Sequence, residues 1–213
     1  MKILAIETSV KESSIAIMHD NDYCYELFSD TKNDTARSLP MLIEDALSKT
    51  KNSFQDLDGI AISMGPGSFT GLRVGLSYAK GLSLALDIPI IPISTFESMI
   101  NIAQPSPSIV VNTIIYSHGN FVYNAEYELN DKSYLSSIEP KLIDIKDVKY
   151  KENSFVIYVG KKEIMNTIDI ENINNISLNA SSIASLANDN YDSLRTKSLD
   201  NLSPNYIGSF NLG

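Results

Sequence analysis

Apolar residues recur along roughly the first hundred positions with two alternating periods. Residues 2–9 (KILAIETS), 13–19 (SSIAIMH) and 22–29 (DYCYELFS) are short apolar runs separated by turn residues. They predict three strands in an antiparallel meander. Residues 34–51 (DTARSLPMLIEDALSKTK) switch to helical spacing, with Leu39, Leu42, Ile43, Ala46 and Leu47 on one face. Pro40 belongs in the first turn of that helix, where its missing N–H costs little, so the helix is expected to start near Ser38. A strand at 57–64 (LDGIAISM), a helix from about Thr70 to Leu86, a strand at 88–94 (IPIIPIS) and a helix at 95–103 (TFESMINIA), N-capped by Thr95, complete the pattern. The order βββαβαβα predicts an α/β layer on a mixed sheet.

The texture changes after residues 104–108 (QPSPS), whose prolines break helix and sheet alike. Residues 108–117 and 120–129 read as a strand pair turning near His118–Asn120, 154–160 as a further strand, and 180–190 as a helix. The asparagine- and isoleucine-rich stretch 165–179 carries no chemical signal, and no internal repeat stands out. Two domains are expected, at 1–103 and 104–213.

The chain of 213 residues is 43% hydrophobic, which is enough for a sizeable core. Its formal net charge of −9 argues against a main nucleic-acid surface, because phosphate contacts need clustered Lys and Arg. If the protein serves RNA, another chain supplies most of the basic surface. A single cysteine, Cys24, excludes an intrachain disulfide and fits a reduced, cytoplasmic setting. In its strand-like run Cys24 is expected to be a packed hydrophobe. No apolar run reaches the length of a membrane span, and Glu7 interrupts the first run, so no secretory leader is expected.

Six of the ten glycines fall in residues 59–82, whose only charges are Arg73 and Lys80. A strand, then MGPGSFTG, then a helix is the order of an anion site. Gly65 and Gly67 admit close backbone approach, the helix points its positive end at the loop, and Ser68, Thr70 and Arg73 add donors. The segment matches neither the P-loop nor the dinucleotide fingerprint, and a purely structural turn is the alternative. Gly71, Gly75, Ala79 and Ser83 form a narrow small-residue face on the helix that follows. Each glycine weakens a helix by ~1 kcal/mol relative to alanine, so a compensating contact is required. That contact is either the chain's own sheet or a partner helix, with Leu72, Leu76, Leu82 and Leu86 holding the rest of the helix.

Little else suggests catalysis. Glu7 ends the first strand, where an actin-like ATPase would hold a metal-binding or catalytic carboxylate; the alternative is a residue solvated or capping the turn. His19 and His118 have no metal-ligand spacing, and no metal site is expected. Ser68 has no evident base, and the chain lacks a Gly-Gly pair for adenosine. No catalytic residue is assigned.

With these residues in view, the chain resembles the TsaB (YeaZ) family. The resemblance rests on GPGSFTGLRVG at 65–75, continued by AKGLSLALDIPIIPISTFESM at 79–99, with ILAIETS, SSIAI, RSLPMLIEDAL and the later SPNYIG in support. It implies an actin-like ATPase (ASKHA, ribonuclease-H-like) α/β fold of two domains, the second reduced. It also implies a non-catalytic subunit that dimerises with TsaD, which transfers threonylcarbamoyl to the adenosine beside the tRNA anticodon. TsaE is the further partner implied, with a homodimer in isolation, tRNA met only through the complex, and no membrane. No cofactor of its own is implied, with ATP or ADP placed at the subunit interface. The family pairs its first two helices with those of TsaD, which makes Leu39, Leu42, Ile43, Ala46, Gly71, Leu72, Gly75, Leu76, Ala79 and Ser83 the interface candidates. Glu7, Gly65, Gly67, Ser68, Thr70 and Arg73 are the anion- or nucleotide-site candidates. The chain departs from the family at Asp34 and Ala36, which stand at usual His and Glu positions, and at Tyr116 and His118, which stand at usual Asp and Arg positions. A nucleotide-binding ATPase or kinase-like enzyme, or the peptidase of older family labels, is the alternative.

Overall fold

Three strands open the chain as the alternation predicts: β1 (Lys2–Glu7), β2 (Ser14–His19) and β3 (Tyr23–Phe28). They are followed by α1 (Thr35–Lys49), β4 (Gly59–Ser63), α2 (Phe69–Leu86), β5 (Ile90–Ile93) and α3 (Thr95–Ala103). The computed structural model describes residues 1–20, 23–29, 34–106, 109–130, 133–151, 153–165 and 173–208. Part of the expected 104–108 boundary and residues 166–172 of the asparagine-rich stretch lie outside the described residues. The five strands run β3-β2-β1-β4-β5, with the first three antiparallel and β1, β4 and β5 parallel. This is the ribonuclease-H-like order of the actin-like fold.

β1 is central, and Ile3, Leu4, Ala5 and Ile6 are all fully buried, so both of its faces are apolar. On one face Leu4, Ile6, Ile15, Ile17, Ile60 and Ile62 pack with Leu39, Ile43 and Ala46 of α1 and with Leu76 and Ala79 of α2. Ala5 faces its ladder neighbours Ala16 and Ala61 on the opposite side. The small side chains there admit α5 (Ala180–Asp189), which packs on β1, β2 and β4. The Ala180 N–H donates to Ser14 Oγ at 2.8 Å, and the Ser181 N–H and hydroxyl both donate to the Glu26 carboxylate.

Two helix starts differ from expectation. α1 begins at Thr35, with the Asp34 carboxylate accepting from the Arg37 N–H, so Pro40 lies inside the helix. An Asp N-cap and a buried Leu39 outweigh the bond that Pro40 cannot make. α3 includes Thr95 as a helical residue, and its buried hydroxyl has no partner, so Thr95 is not the cap.

β6 (Val110–His118), β7 (Phe121–Asn130), β8 (Ser133–Asp144), β9 (Phe155–Val159) and β10 (Ile173–Asn175) build a second sheet in the order β8-β7-β6-β9-β10. In chain order this is again 3-2-1-4-5, a topological repeat that the residues do not announce. Among the described residues between its strands, the helical elements are a 3-10 turn at Ile145–Asp147 and the one-turn α4 (Lys162–Met165). Ile114, Val122, Ile145, Val156 and Tyr158 form its core. The Tyr158 hydroxyl donates to the Lys161 carbonyl, and burial, with Tyr116 and Glu163 nearby, pushes its pKa up to about 12.

The expected division between Ala103 and Gln104 is corrected. One unit comprises Met1–Ser98 with Leu178–Asn205, and the other Met99–Ser177 with Tyr206–Gly213. The boundary falls within α3, and α5 belongs to the first unit, where it packs on β1, β2 and β4 and the Ser182 hydroxyl donates to the Ser98 carbonyl of α3.

α2 approaches the sheet unusually closely. A Cβ on Gly71 would collide with the Thr8 carbonyl oxygen, and one on Gly75 with Thr8 Oγ1, with Ile62 Cδ1 at 3.1 Å. A Cβ on Gly81 would meet nothing within 4 Å. Gly75→Ala is therefore expected to lower unfolding free energy by about 1–3 kcal/mol through overpacking, and Gly81→Ala to raise it by about 0.5–1 kcal/mol through helix propensity. Urea unfolding of the two variants checks the contrast.

Candidate functional site

The carboxyl ends of parallel strands are where α/β sheets place ligands. Here the ends of β1 and β4 meet at residues 7–9 and 63–68. The chain itself fills the space. The Ser68 N–H donates to the Ser9 carbonyl at 2.6 Å, and Ser68 Oγ caps α2 by accepting the Gly71 N–H at 3.2 Å. A Cβ on Gly67 would strike the Ser9 carbonyl. Gly65, at φ +98°, is hemmed by Leu72 Cδ1 and the Asn205 backbone. The amide best placed for a phosphate thus bonds a backbone carbonyl. The structure brings Glu7, Gly67 and Ser68 together around Ser9. Thr70 and Arg73 face solvent on the first turns of α2, with the Arg73 guanidinium 3.7 Å above the Phe69 ring. These six residues do not form the anion cradle that their order in sequence suggests.

Glu7 is fully buried, which rules out the solvated reading of its role. One oxygen, Oε1, accepts both the Ser9 N–H at 2.5 Å and the Ser63 hydroxyl at 3.0 Å, so the side chain ties the turn after β1 to the end of β4. Oε2 has no partner. Burial raises the pKa, hydrogen bonds from Ser9 and Ser63 oppose the rise, and the Glu26 charge adds to it. Thr8, Ser9 and Ser63, which the sequence reading left aside, are the residues that make this junction. The hydroxyls of Thr8 and Ser9 are buried without hydrogen-bond partners, that of Thr8 wedged against Gly75.

The interface expectation is corrected more sharply. Gly71, Leu72, Gly75, Leu76, Ala79 and Ser83 are buried against the chain's own sheet, as are Leu39, Ile43 and Ala46, and Leu42 packs beside them. These residues are the core of the first unit and leave no surface for a partner. The outward side of α2 is a different set: Val74, Ser77, Tyr78, Gly81, Leu84 and Ala85 are half-buried or exposed at helical spacing and uncharged, beside the exposed Arg73 and the half-buried Lys80. Leu84 is 74% exposed, and Met41 on the neighbouring α1 is 65% exposed. Burial, and then the Glu44 carboxylate of α1, push the Tyr78 phenol up. The signal for this face was present in the sequence as a helix without carboxylates in an acidic chain.

The other candidates separate. Cys24 is exposed on edge strand β3, 3.4 Å from the Ser181 hydroxyl, and is not a packed hydrophobe. His19 lies exposed beside Asp20, and His118, also exposed, stacks on Phe121. Asp34 is a helix cap, and Tyr116 lies under the Lys161 ammonium at 4.9 Å. Among the described residues, no group of three or more His, Cys, Asp and Glu side chains could hold a metal ion, and no helix is long and apolar enough to cross a membrane.

An α/β chain with two five-stranded sheets of the same 3-2-1-4-5 order, and a glycine-rich loop whose Ser68 amide bonds its own backbone, defines the class. The family described as TsaD, tRNA N6-adenosine threonylcarbamoyltransferase, matches residues 29–189. A protein of Buchnera aphidicola from Acyrthosiphon pisum, named tRNA threonylcarbamoyladenosine biosynthesis protein TsaB, is 32% identical over 83% of this chain and 81% of its own length. The Escherichia coli protein of the same name is 34% identical over 62% of this chain and 57% of its own length. The solved structure of YeaZ from Pseudomonas aeruginosa superposes with a TM-score of 0.83 over 97% of this chain and 99% of that chain, at 20% identity. The chain belongs to the TsaB (YeaZ) family.

The buried carboxyl of Glu7 has a measurable consequence. A raised folded-state pKa means that the native protein holds this proton more tightly than the unfolded chain does. Its stabilisation is full below the ordinary carboxylate range and is lost as pH rises through the folded-state value. Glu7→Gln is expected to match wild type in acid and to exceed it in stability at higher pH, with a flatter profile between about pH 5 and 8. Urea midpoints across that range decide the matter.

Proposed function

We propose that this chain is a non-catalytic subunit of a tRNA threonylcarbamoyltransferase. It docks on TsaD and supports transfer of threonylcarbamoyl to the adenosine adjacent to the anticodon. The observation that carries the reading is the outward side of α2, which is free of carboxylates and shows Leu84 in the open, on a chain of net charge −9. The relatives named TsaB are threonylcarbamoyladenosine biosynthesis proteins, and most of this chain matches the family of the transferase itself. Two proteins of one fold carry like helix pairs, and like pairs can dock about a pseudo-twofold axis. The transferase is therefore the occupant argued here, and a second copy of this chain is its competitor in isolation.

A catalytic role finds little support in the strand-end residues. Glu7 bridges Ser9 and Ser63, Ser68 caps a helix, and the Ser68 amide bonds Ser9. Nucleotide then belongs to the junction between subunits and not to this loop. TsaE and tRNA join through the complex, and the working compartment is the cytoplasm.

Leu84→Glu tests the docking face. The side chain is exposed, so the thermal midpoint should stay within a degree or two of wild type. Affinity for TsaD of the same organism should fall by roughly 30-fold or more, as for a central apolar anchor. Titration calorimetry giving wild-type affinity for this variant would remove the face from consideration.

A further inference from the structure

α2 is anchored unequally along its length. Its N-terminal half is pressed onto Thr8 at Gly71 and Gly75. Its C-terminal half carries Gly81, which nothing touches, and the exposed Leu84. A glycine in the open weakens that half by ~1 kcal/mol relative to alanine. Ala79 and Ser83 bury one side of that half, with Leu82 and Leu86 packed on the core, and a segment distant in sequence adds ties to it. Thr196 exchanges two backbone hydrogen bonds with Ile90, at 2.8 and 2.9 Å, and the Lys197 ammonium meets the Asp87 carboxylate at 2.7 Å, where α2 ends. Leu199 and Leu202 pack on the core cluster that includes Leu76 and Ala79. The Lys80 ammonium then donates to the Leu202 carbonyl at 2.8 Å. Finally the Asn205 N–H donates to the Met64 carbonyl at 2.7 Å, just before the loop that leads into α2. The segment therefore runs from the end of α2 back to its beginning, with one side-chain tie midway.

We propose that residues Thr196–Asn205 are a positioning strap for α2, and that Lys80 is the positioning residue that couples it to the docking face. The inference rests on the docking function proposed for that face. Lys80 lies between Ser77 and Gly81 of the outward stripe, so the bond to Leu202 fixes the turn that presents them. A helix held in its bound geometry loses less conformational freedom on association, and this is the physical route from strap to affinity. It also explains why Lys80 is one of only two charges in the glycine-rich segment 59–82. Its ammonium is directed at a carbonyl of its own chain.

The test uses the full chain with Lys80→Met, which keeps the stem and removes the donor, and Lys80→Arg, which restores a donor. In Lys80→Met, amide hydrogen exchange over Tyr78–Leu86 should accelerate about tenfold and affinity for TsaD should fall about five- to tenfold. In Lys80→Arg, both should return to near wild type. Wild-type exchange and affinity in Lys80→Met would overturn the strap while leaving the docking face standing. Wild-type affinity in Leu84→Glu would instead remove the docking face. Should Lys80→Met fail to fold, Lys197→Ala, which severs an exposed tie, carries the test. Faster exchange over Ser83–Leu86 supports the strap, and unchanged exchange overturns it.

Discussion

The contact on which the first unit depends is that between the turn leaving β1 and the start of α2. The Thr8 carbonyl and hydroxyl occupy the volume that side chains at Gly71 and Gly75 would need, and the Ser9 carbonyl takes both the space above Gly67 and the Ser68 amide. Glu7, next in line, bonds Ser63 and so ties this turn to β4. Three consecutive residues thereby set the position of a helix against two strands. Close packing of this kind tolerates no added methyl group. It engages the Ser68 amide, a group that a glycine-rich loop would otherwise offer to an anion.

The same contact decides which way α2 faces. With its glycines turned inward, the helix shows solvent a second surface of Val74, Ser77, Gly81 and Leu84. A helix free of carboxylates in an acidic chain can be recognised as special from its residues alone. Which flank is interior cannot, because small and apolar side chains suit either. That is why the family motif was legible while the face assignment came out reversed: periodicity gives the stripe, and only the partner strand gives the direction.

Elsewhere legibility followed local signal. β1 to α3 announce themselves through alternation, helical spacing and a strand–glycine–helix order, and the structure has them within a few residues. The start of α1 was misplaced because Pro40 was weighed above the Asp34 cap, a competition between two local preferences that the buried Leu39 resolves. β8 was missed because its residues, with Pro140 among them, serve an edge that pairs on one side only. The shared strand order of the two sheets left no trace in side chains. Glu7 reads either as an anion-site carboxylate or as a solvated or turn-capping residue; its burial against Ser9 and Ser63 depends on a strand more than fifty residues away.

The return of Leu178–Asn205 to the first unit bears on synthesis. A nascent chain that has emerged only as far as Ser98 lacks α5, the helix that packs on β1, β2 and β4 over Ala5, Ala16 and Ala61. Those alanines gain that cover only once residues 180–189 are made. The apolar sheet surface is thus open for an interval set by the second unit's length, which is the condition under which partly made chains associate wrongly.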